Sequence, residues 1–215
     1  MTLRGLYAIT PEEADSAQLE ASVRALFASA AAHCAALQYR NKSTDAARRL
    51  KQAKRLAILA RASGVPFIVN DDVALALAVD ADGVHIGRDD GDIGAARAAL
   101  CGKLLCVSCY DSLEAARAAV AAGADYVAFG SVFPSTTKPG TVRAPLRLFG
   151  QAKALGVPLV AIGGITPQNA GALLQAGADA LAVISALFDG ADVGARAQEF
   201  ARLFSTLSTR TGTTA

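Results

Sequence analysis

Several short polar runs in this 215-residue chain carry residues that could do chemistry. Gln38-Tyr39-Arg40-Asn41-Lys42 sets two cations two residues apart. In an extended chain Gln38, Arg40 and Lys42 share one face. They then form a clamp for a polyanionic ligand or, where the strand frays, a pair of solvated surface charges. Burying them without an anion is too costly to be an option. Asn70-Asp71-Asp72 and Gly87-Arg88-Asp89-Asp90 supply carboxylates. Oxygen ligands of this kind suit Mg²⁺, which takes one or two carboxylates and fills its other positions with water and phosphate. Asp71 or Asp72 before Val73, and Asp90 before Gly91, could equally cap helices. Pro134-Ser135-Thr136-Thr137-Lys138-Pro139-Gly140 puts three hydroxyls beside a lysine, which fits phosphate recognition and is also ordinary loop composition. The glycines of Ile162-Gly163-Gly164-Ile165-Thr166 let backbone N–H groups come close to an anion.

The elements that must position these runs are legible from their rhythm. Short β-branched segments fall at 6–9, 35–39, 66–69, 83–86, 104–108, 126–130, 159–162 and 180–184. Between them lie Ala-rich stretches with helical apolar spacing, among them 44–63, 112–122 and 167–176. Eight strand–helix units in just over 200 residues predict a single-domain (β/α)₈ TIM barrel at the small end of its size range. The competitor, a doubly wound open sheet, would need fewer strands and a clear nucleotide loop. Internal repeats favour closure. Gly64-Val65-Pro66-Phe67-Ile68-Val69 returns as Gly156-Val157-Pro158-Leu159-Val160-Ala161, and Ala81-Asp82-Gly83-Val84 is echoed by Ala178-Asp179-Ala180-Leu181. Asp82, Asp125 and Asp179 stand at strand starts, the stability face of a barrel, and read as structural.

In this fold the polar runs above all fall at C-terminal strand ends, where active sites are built. Ser108 ends the fifth strand, either as a hydrogen-bond donor or as a residue leading into a helix. Ile184 and Ser185 close the eighth, beside the glycine pair of the seventh, where barrels of this kind recurrently bind phosphate. One anion site with a candidate metal and one without suggest two phosphorylated ligands meeting across the barrel mouth. His85 lies inside the fourth strand and reads as a packed core residue; His33 is given no role.

Composition narrows the classes. A net charge of +2 favours neither nucleic acid nor an anionic membrane surface as a partner. The longest apolar stretch, 30–37, is too short to span a bilayer, and the N-terminus lacks the apolar core of a signal peptide, so a cytoplasmic enzyme is expected. Cys106 and Cys109 have ligand-like spacing, but residues three apart on a strand face opposite ways, which predicts ordinary packing cysteines. The barrel is expected over 1–205, with a loose Ser/Thr-rich tail over 206–215.

The residues between about 6 and 185 resemble the thiamine-phosphate synthase family. Leu6-Tyr7-Ala8-Ile9-Thr10, Gln38 to Lys42, Asn70-Asp71-Asp72, Gly83-Val84-His85-Ile86-Gly87 with Asp90, Ser135-Thr136-Thr137-Lys138 and Ile162 to Thr166 look like its signatures in the right order. The resemblance implies a Mg²⁺-assisted transferase. It would join an aminopyrimidine diphosphate to a thiazole phosphate, with or without an extra carboxylate, and release diphosphate. It also implies that Gln38, Tyr39, Arg40, Asn41, Lys42, Asn70, Ser108 and Lys138 bind the pyrimidine substrate. Ser135, Thr136, Thr137, Gly164, Ile184 and Ser185 would hold the thiazole phosphate, and Asp71 and Asp90 the metal. Arg40, Lys138 and Ser108 are the candidate catalytic residues. A thiazole tautomerase-like relative would share the barrel but needs neither metal nor diphosphate clamp. A non-catalytic phosphate-ligand sensor would bind without turnover.

Overall fold

The computed structural model describes residues 3–12, 15–87, 91–134 and 143–211, the last six by backbone alone. Eight strands close in chain order into a barrel. They are β1 (Gly5–Ile9), β2 (Cys34–Tyr39), β3 (Phe67–Asn70), β4 (Gly83–Ile86), β5 (Leu104–Tyr110), β6 (Tyr126–Gly130), β7 (Leu159–Ile162) and β8 (Ala180–Val183). Every neighbouring pair is parallel, including β8 with β1. Helices α1 (Ser16–Ala30), α2 (Ala46–Ala62), α3 (Val73–Ala78), α4 (Ile93–Ala99), α5 (Leu113–Ala121), α6 (Arg147–Ala152) and α7 (Ala170–Ala176) follow β1 to β7 in turn. Two helices, α8 (Ser185–Phe188) and α9 (Val193–Thr211), follow β8, and α9 packs against α1. The predicted (β/α)₈ barrel is the fold. α9 spans the 205/206 boundary drawn from composition.

Strand alternation sorts side chains into two cores. Leu37, Phe67, Val84, Val107, Phe129 and Leu159 point outward and pack beneath the helices, where Phe149 of α6 meets Phe129 edge-on at 5.6 Å. Tyr7, Ala36, Ile68, Cys106, Tyr126 and Val160 fill the barrel interior. Cys106 thus lies inside and Cys109 in the outer layer, so the two sulfurs do not converge.

The bottom of the barrel is closed by a repeated device. Asp82 accepts the Phe67 N–H at 2.7 Å, Asp125 the Leu105 N–H at 2.8 Å, and Asp179 the Leu159 N–H at 2.9 Å. In each case the backbone N–H of the aspartate returns a bond to the carbonyl of the same residue. The acid that opens an even-numbered strand thereby caps the odd-numbered strand before it, which explains the echoed Ala-Asp phrase. Asp15, Asp45, Asp72, Asp92 and Ser112 cap α1 to α5 with their side chains.

β1 and β2 start one residue earlier than expected, β3 lies one residue later, and β5 and β8 differ at their C-terminal ends. β5 runs on to Tyr110, with its register shifted between Ser108 and Tyr110 and Tyr110 at φ +51°. β8 stops at Val183, because Ile184 (φ −114°, ψ −85°) leaves the extended region to start α8. α7 begins at Ala170 rather than 167, since the Asn169 side chain accepts the Thr166 N–H and holds the residues before it in a turn.

Asp179→Ala should destabilise the protein by about 1–2 kcal/mol, because the buried Leu159 N–H loses its partner. Urea unfolding checks this, with substrate KM values unchanged because the site lies at the far end of the barrel. A shifted KM would mean that the two ends are coupled.

Candidate active site

The C-terminal ends of all eight strands surround a cavity of about 330 Å³. That is within the range of a small-molecule site. One side of its wall is charged. Beyond the last residue of β2 the chain keeps its alternation, so Gln38, Arg40 and Lys42 all face the cavity. Thr10, fully buried at the end of β1, holds the Arg40 backbone by accepting its N–H at 2.9 Å and donating to its carbonyl at 3.3 Å. The Arg40 guanidinium donates to Glu12 at 2.5 Å. Lys42 Nζ lies 3.3 Å from Asp71 Oδ2, and Asn70 Nδ2 donates to the same oxygen at 2.5 Å.

The two candidate acids after β3 divide their work. Asp72 caps α3 through the Leu75 N–H and pairs with Arg49. Asp71 sits at φ +62°, its N–H bonded to the His85 carbonyl at 2.8 Å, and its carboxylate faces the cavity. The capping reading holds for Asp72 and the cavity reading for Asp71. Among the described residues no group of three or more His, Cys, Asp or Glu is gathered to hold a metal. Asp90, Ser135, Thr136, Thr137 and Lys138 lie outside the described residues.

Tyr39 and Asn41, both expected among the binding residues, point the other way. The Tyr39 hydroxyl donates to Gln52 Oε1 of α2 at 2.8 Å, and Asn41 Nδ2 donates to the same oxygen at 3.0 Å. Neither lines the cavity. Period-two alternation separates them from Gln38, Arg40 and Lys42, so the unbroken run 38–42 resolves into an inner and an outer set.

The opposite side is built from small residues. Gly163, Gly164, Ile184 and Ser185 line it, beside Gly130 and Ser131 of the β6 end. Gly164 has φ +62°, and a Cβ there would sit 2.2 Å from the Pro134 carbonyl oxygen, so only glycine fits. Its carbonyl accepts Asn169 Nδ2 at 2.9 Å, which ties the turn to the start of α7.

Between the two sides lie Asn70, His85 and Ser108, from β3, β4 and β5. His85 Nε2 and Ser108 Oγ are 2.8 Å apart. The sequence predicts His85 as a packed core residue. It is buried (8% exposed) but also lines the cavity. The available signal was register: His85 is paired with Asn70 across β3–β4, so the two share the inner face. Tyr110 also lines the cavity, turned there by the shift in β5.

A buried hydroxyl pair lies in the barrel interior next to Gln38. Tyr7 and Tyr126 hydroxyls lie 3.1 Å apart, and Gln38 Nε2 donates to Tyr7 Oη at 3.5 Å. Burial pushes both phenols well above the ordinary tyrosine value of 10.0. Burial also raises Cys106 well above its ordinary range and pushes Cys34 up to about 12, so neither thiol is a nucleophile at neutral pH.

A (β/α)₈ barrel with a polar cavity of this size at the C-terminal ends of its strands has the architecture of an enzyme acting on small molecules. The model of the family described as "Thiamine monophosphate synthase" matches residues 6–187. The chain is 58% identical over 205 residues to a thiamine-phosphate synthase of Aromatoleum aromaticum, covering 94% of this chain and 97% of that one. It is 57% identical over 203 residues to the enzyme of the same name from Chromobacterium violaceum, with the same coverage. The solved structure of a thiamine phosphate pyrophosphorylase from Pyrococcus furiosus superposes with a TM-score of 0.83 at 34% identity, covering 96% of this chain and 98% of that one. The chain belongs to the thiamine monophosphate synthase family.

The tyrosine pair has a pH signature. A folded-state pKa above 10.0 means that the neutral phenols stabilise the fold below pH about 10, and that this contribution is lost as pH rises beyond it. Urea midpoints should therefore fall above pH about 10, and fall less steeply in the Tyr7→Phe/Tyr126→Phe double variant. Equal slopes in the two proteins would mean that other groups cause the loss.

Proposed function

We propose that this chain makes thiamine phosphate by joining an aminopyrimidine methyl diphosphate to a thiazole phosphate, releasing diphosphate. Family membership supports the reaction. The observation that carries the site assignment is the meeting of Arg40, Lys42 and Asp71 at one side of the mouth, with Lys42 and Asp71 3.3 Å apart. The wall across from it, at Gly163, Gly164 and Ser185, offers the neutral, close-approach surface that a phosphomonoester needs.

The bond that breaks is that between the pyrimidine methylene carbon and the diphosphate oxygen. Its electron pair leaves with the oxygen, so negative charge grows on the diphosphate while a pyrimidinylmethyl cation forms. Arg40, Lys42 and Lys138 present positive charge to the growing anion, and Ser108 presents a hydroxyl beside His85. The thiazole nitrogen then gives its lone pair to the cationic carbon. No proton needs to be removed, so no general base is required. The apolar lining from Ile9, Ala128, Ile162 and Ala182 keeps water from the cation.

A Mg²⁺ fits the charged side. Asp71 is free of helix-capping duty, and its contact with Lys42, which is 46% exposed, is worth only about 0.2–1 kcal/mol. Asp71 can therefore exchange that partner on ligand binding. Asp71 and Asp90 would hold the ion, which would supply further positive charge against the diphosphate. A tautomerase-like activity needs no such cluster. The reaction uses small molecules alone, and no described helix is long and apolar enough to cross a membrane. We place the enzyme in the cytoplasm.

Asp71→Asn should lower Mg²⁺-dependent diphosphate release by about 10²-fold or more while leaving the melting temperature nearly unchanged. The assay mixes both substrates and follows diphosphate with and without the thiazole partner. Near-normal turnover of the variant at low Mg²⁺ would remove the metal from Asp71.

A further inference from the structure

Gln52 is the one polar residue on the buried stripe of α2, which otherwise presents Ala53, Leu56, Ala57 and Ala60. It is 3% exposed and does not line the cavity. A polar side chain at a core-facing position is costly unless its bonds are made. Gln52 makes them to a specific set of partners. Its Oε1 accepts from the Tyr39 hydroxyl at 2.8 Å and Asn41 Nδ2 at 3.0 Å, and its Nε2 donates to Ser16 Oγ at the start of α1 at 3.0 Å. Asn41 in turn accepts the Ser43 N–H through Oδ1 at 2.9 Å.

These partners alternate with the residues that face the cavity. β2 ends at Tyr39, so the sheet ladder no longer dictates which way residues 40–42 point. Thr10 grips the backbone at Arg40 from the β1 side. Gln52 grips the side chains at 39 and 41 from the helix side. Between the two holds, Arg40 and Lys42 fall on the cavity side.

We propose that Gln52 is a positioning residue: through Tyr39 and Asn41 it keeps Arg40 and Lys42 directed at the diphosphate. This rests on the reading that Arg40 and Lys42 hold that group. Tyr39 and Asn41 are then part of the binding machinery without touching the substrate.

The bond pattern supplies an unusual test. Tyr39 and Asn41 donate to Gln52, and the Ser16 hydroxyl can donate as well, so a carboxylate can serve these three described partners while an apolar side chain serves none of them. Gln52→Leu should raise KM for the pyrimidine diphosphate about tenfold or more, with KM for the thiazole phosphate changed by less than about twofold. Gln52→Glu should recover most of the loss. Amide exchange at Asn41 to Ser43 should speed up in Gln52→Leu and stay near wild type in Gln52→Glu. In an Arg40→Ala/Lys42→Ala background, Gln52→Leu should add little further effect on KM. If Gln52→Leu fails to fold, Tyr39→Phe should show the same substrate-selective rise at smaller size. Equal rises in both KM values, or a Glu variant as impaired as the Leu variant, would overturn the proposal. Arg40→Ala/Lys42→Ala with an unchanged KM for the pyrimidine diphosphate would instead sink the reading of the clamp. Exchange at 41–43 would then still decide whether Gln52 anchors this segment, unchanged exchange in Gln52→Leu overturning it.

Discussion

A closed parallel barrel forces every second residue of each strand into a narrow interior that excludes water. Each such residue must be apolar, paired, or close enough to the mouth to meet a ligand. The distribution of side chains follows this depth gradient. Tyr126, Cys106 and Ile68 lie deep, and the Tyr7 and Tyr126 hydroxyls there pair with each other. Gln38, Asn70, His85 and Ser108 form the next level, each with a polar group at the cavity. Arg40, Lys42 and Asp71 stand at the rim, where water or a ligand can solvate charge. The charged side chains stand at this rim, since a charge one level lower would be buried and costly to leave unpaired.

The same constraint explains what was legible in the sequence. The strands at 83–86, 126–130 and 159–162 appear as β4, β6 and β7 with those bounds, because short β-branched runs flanked by Gly and Asp leave little choice. The Asp residues at strand starts were readable as structural because their phrase repeats, and a repeated phrase at a fixed place in the β/α unit implies a repeated bond. From residue type and spacing alone, without the family resemblance, Asp71 and Asp72 could not be told apart. They are neighbours of one type, and only the φ of +62° at Asp71 turns one carboxylate to the cavity and leaves the other to cap α3. Tyr39 and Asn41 were grouped with Arg40 because the motif is contiguous, whereas the strand deals its members to opposite sides. His85 was passed over because a lone histidine in an apolar strand carries no local mark of its depth. Its depth comes from pairing with Asn70 on another strand.

Before ligands bind, the rim cations already have partners: Arg40 has Glu12 and Lys42 has Asp71. Such partly exposed pairs are weak. They keep the cations from repelling one another and from wandering, and the proposed diphosphate, a polyanion, would outcompete them. Preorganisation therefore lies in the backbone more than in the ion pairs. Thr10 at β1 and Gln52 on α2 hold the segment 39–42 from two sides, and the guanidinium and ammonium groups remain free to change partners at its surface.

The glycine side of the mouth is organised on the opposite plan. There the backbone itself is the functional surface, so steric exclusion takes over the role that hydrogen bonds play around β2. A methyl group at Gly164 would strike the Pro134 carbonyl, and one at Gly163 would come within 2.1 Å of Ser131 Oγ. The β7 turn and the β6 end are thus packed to the limit of contact. One rigid wall of bare backbone facing one wall of long, re-partnering side chains suits a reaction with two unlike phosphorylated substrates. On the proposed reading, the phosphate that stays through the reaction would meet the fixed side, and the departing diphosphate would meet groups that can follow its charge as it grows.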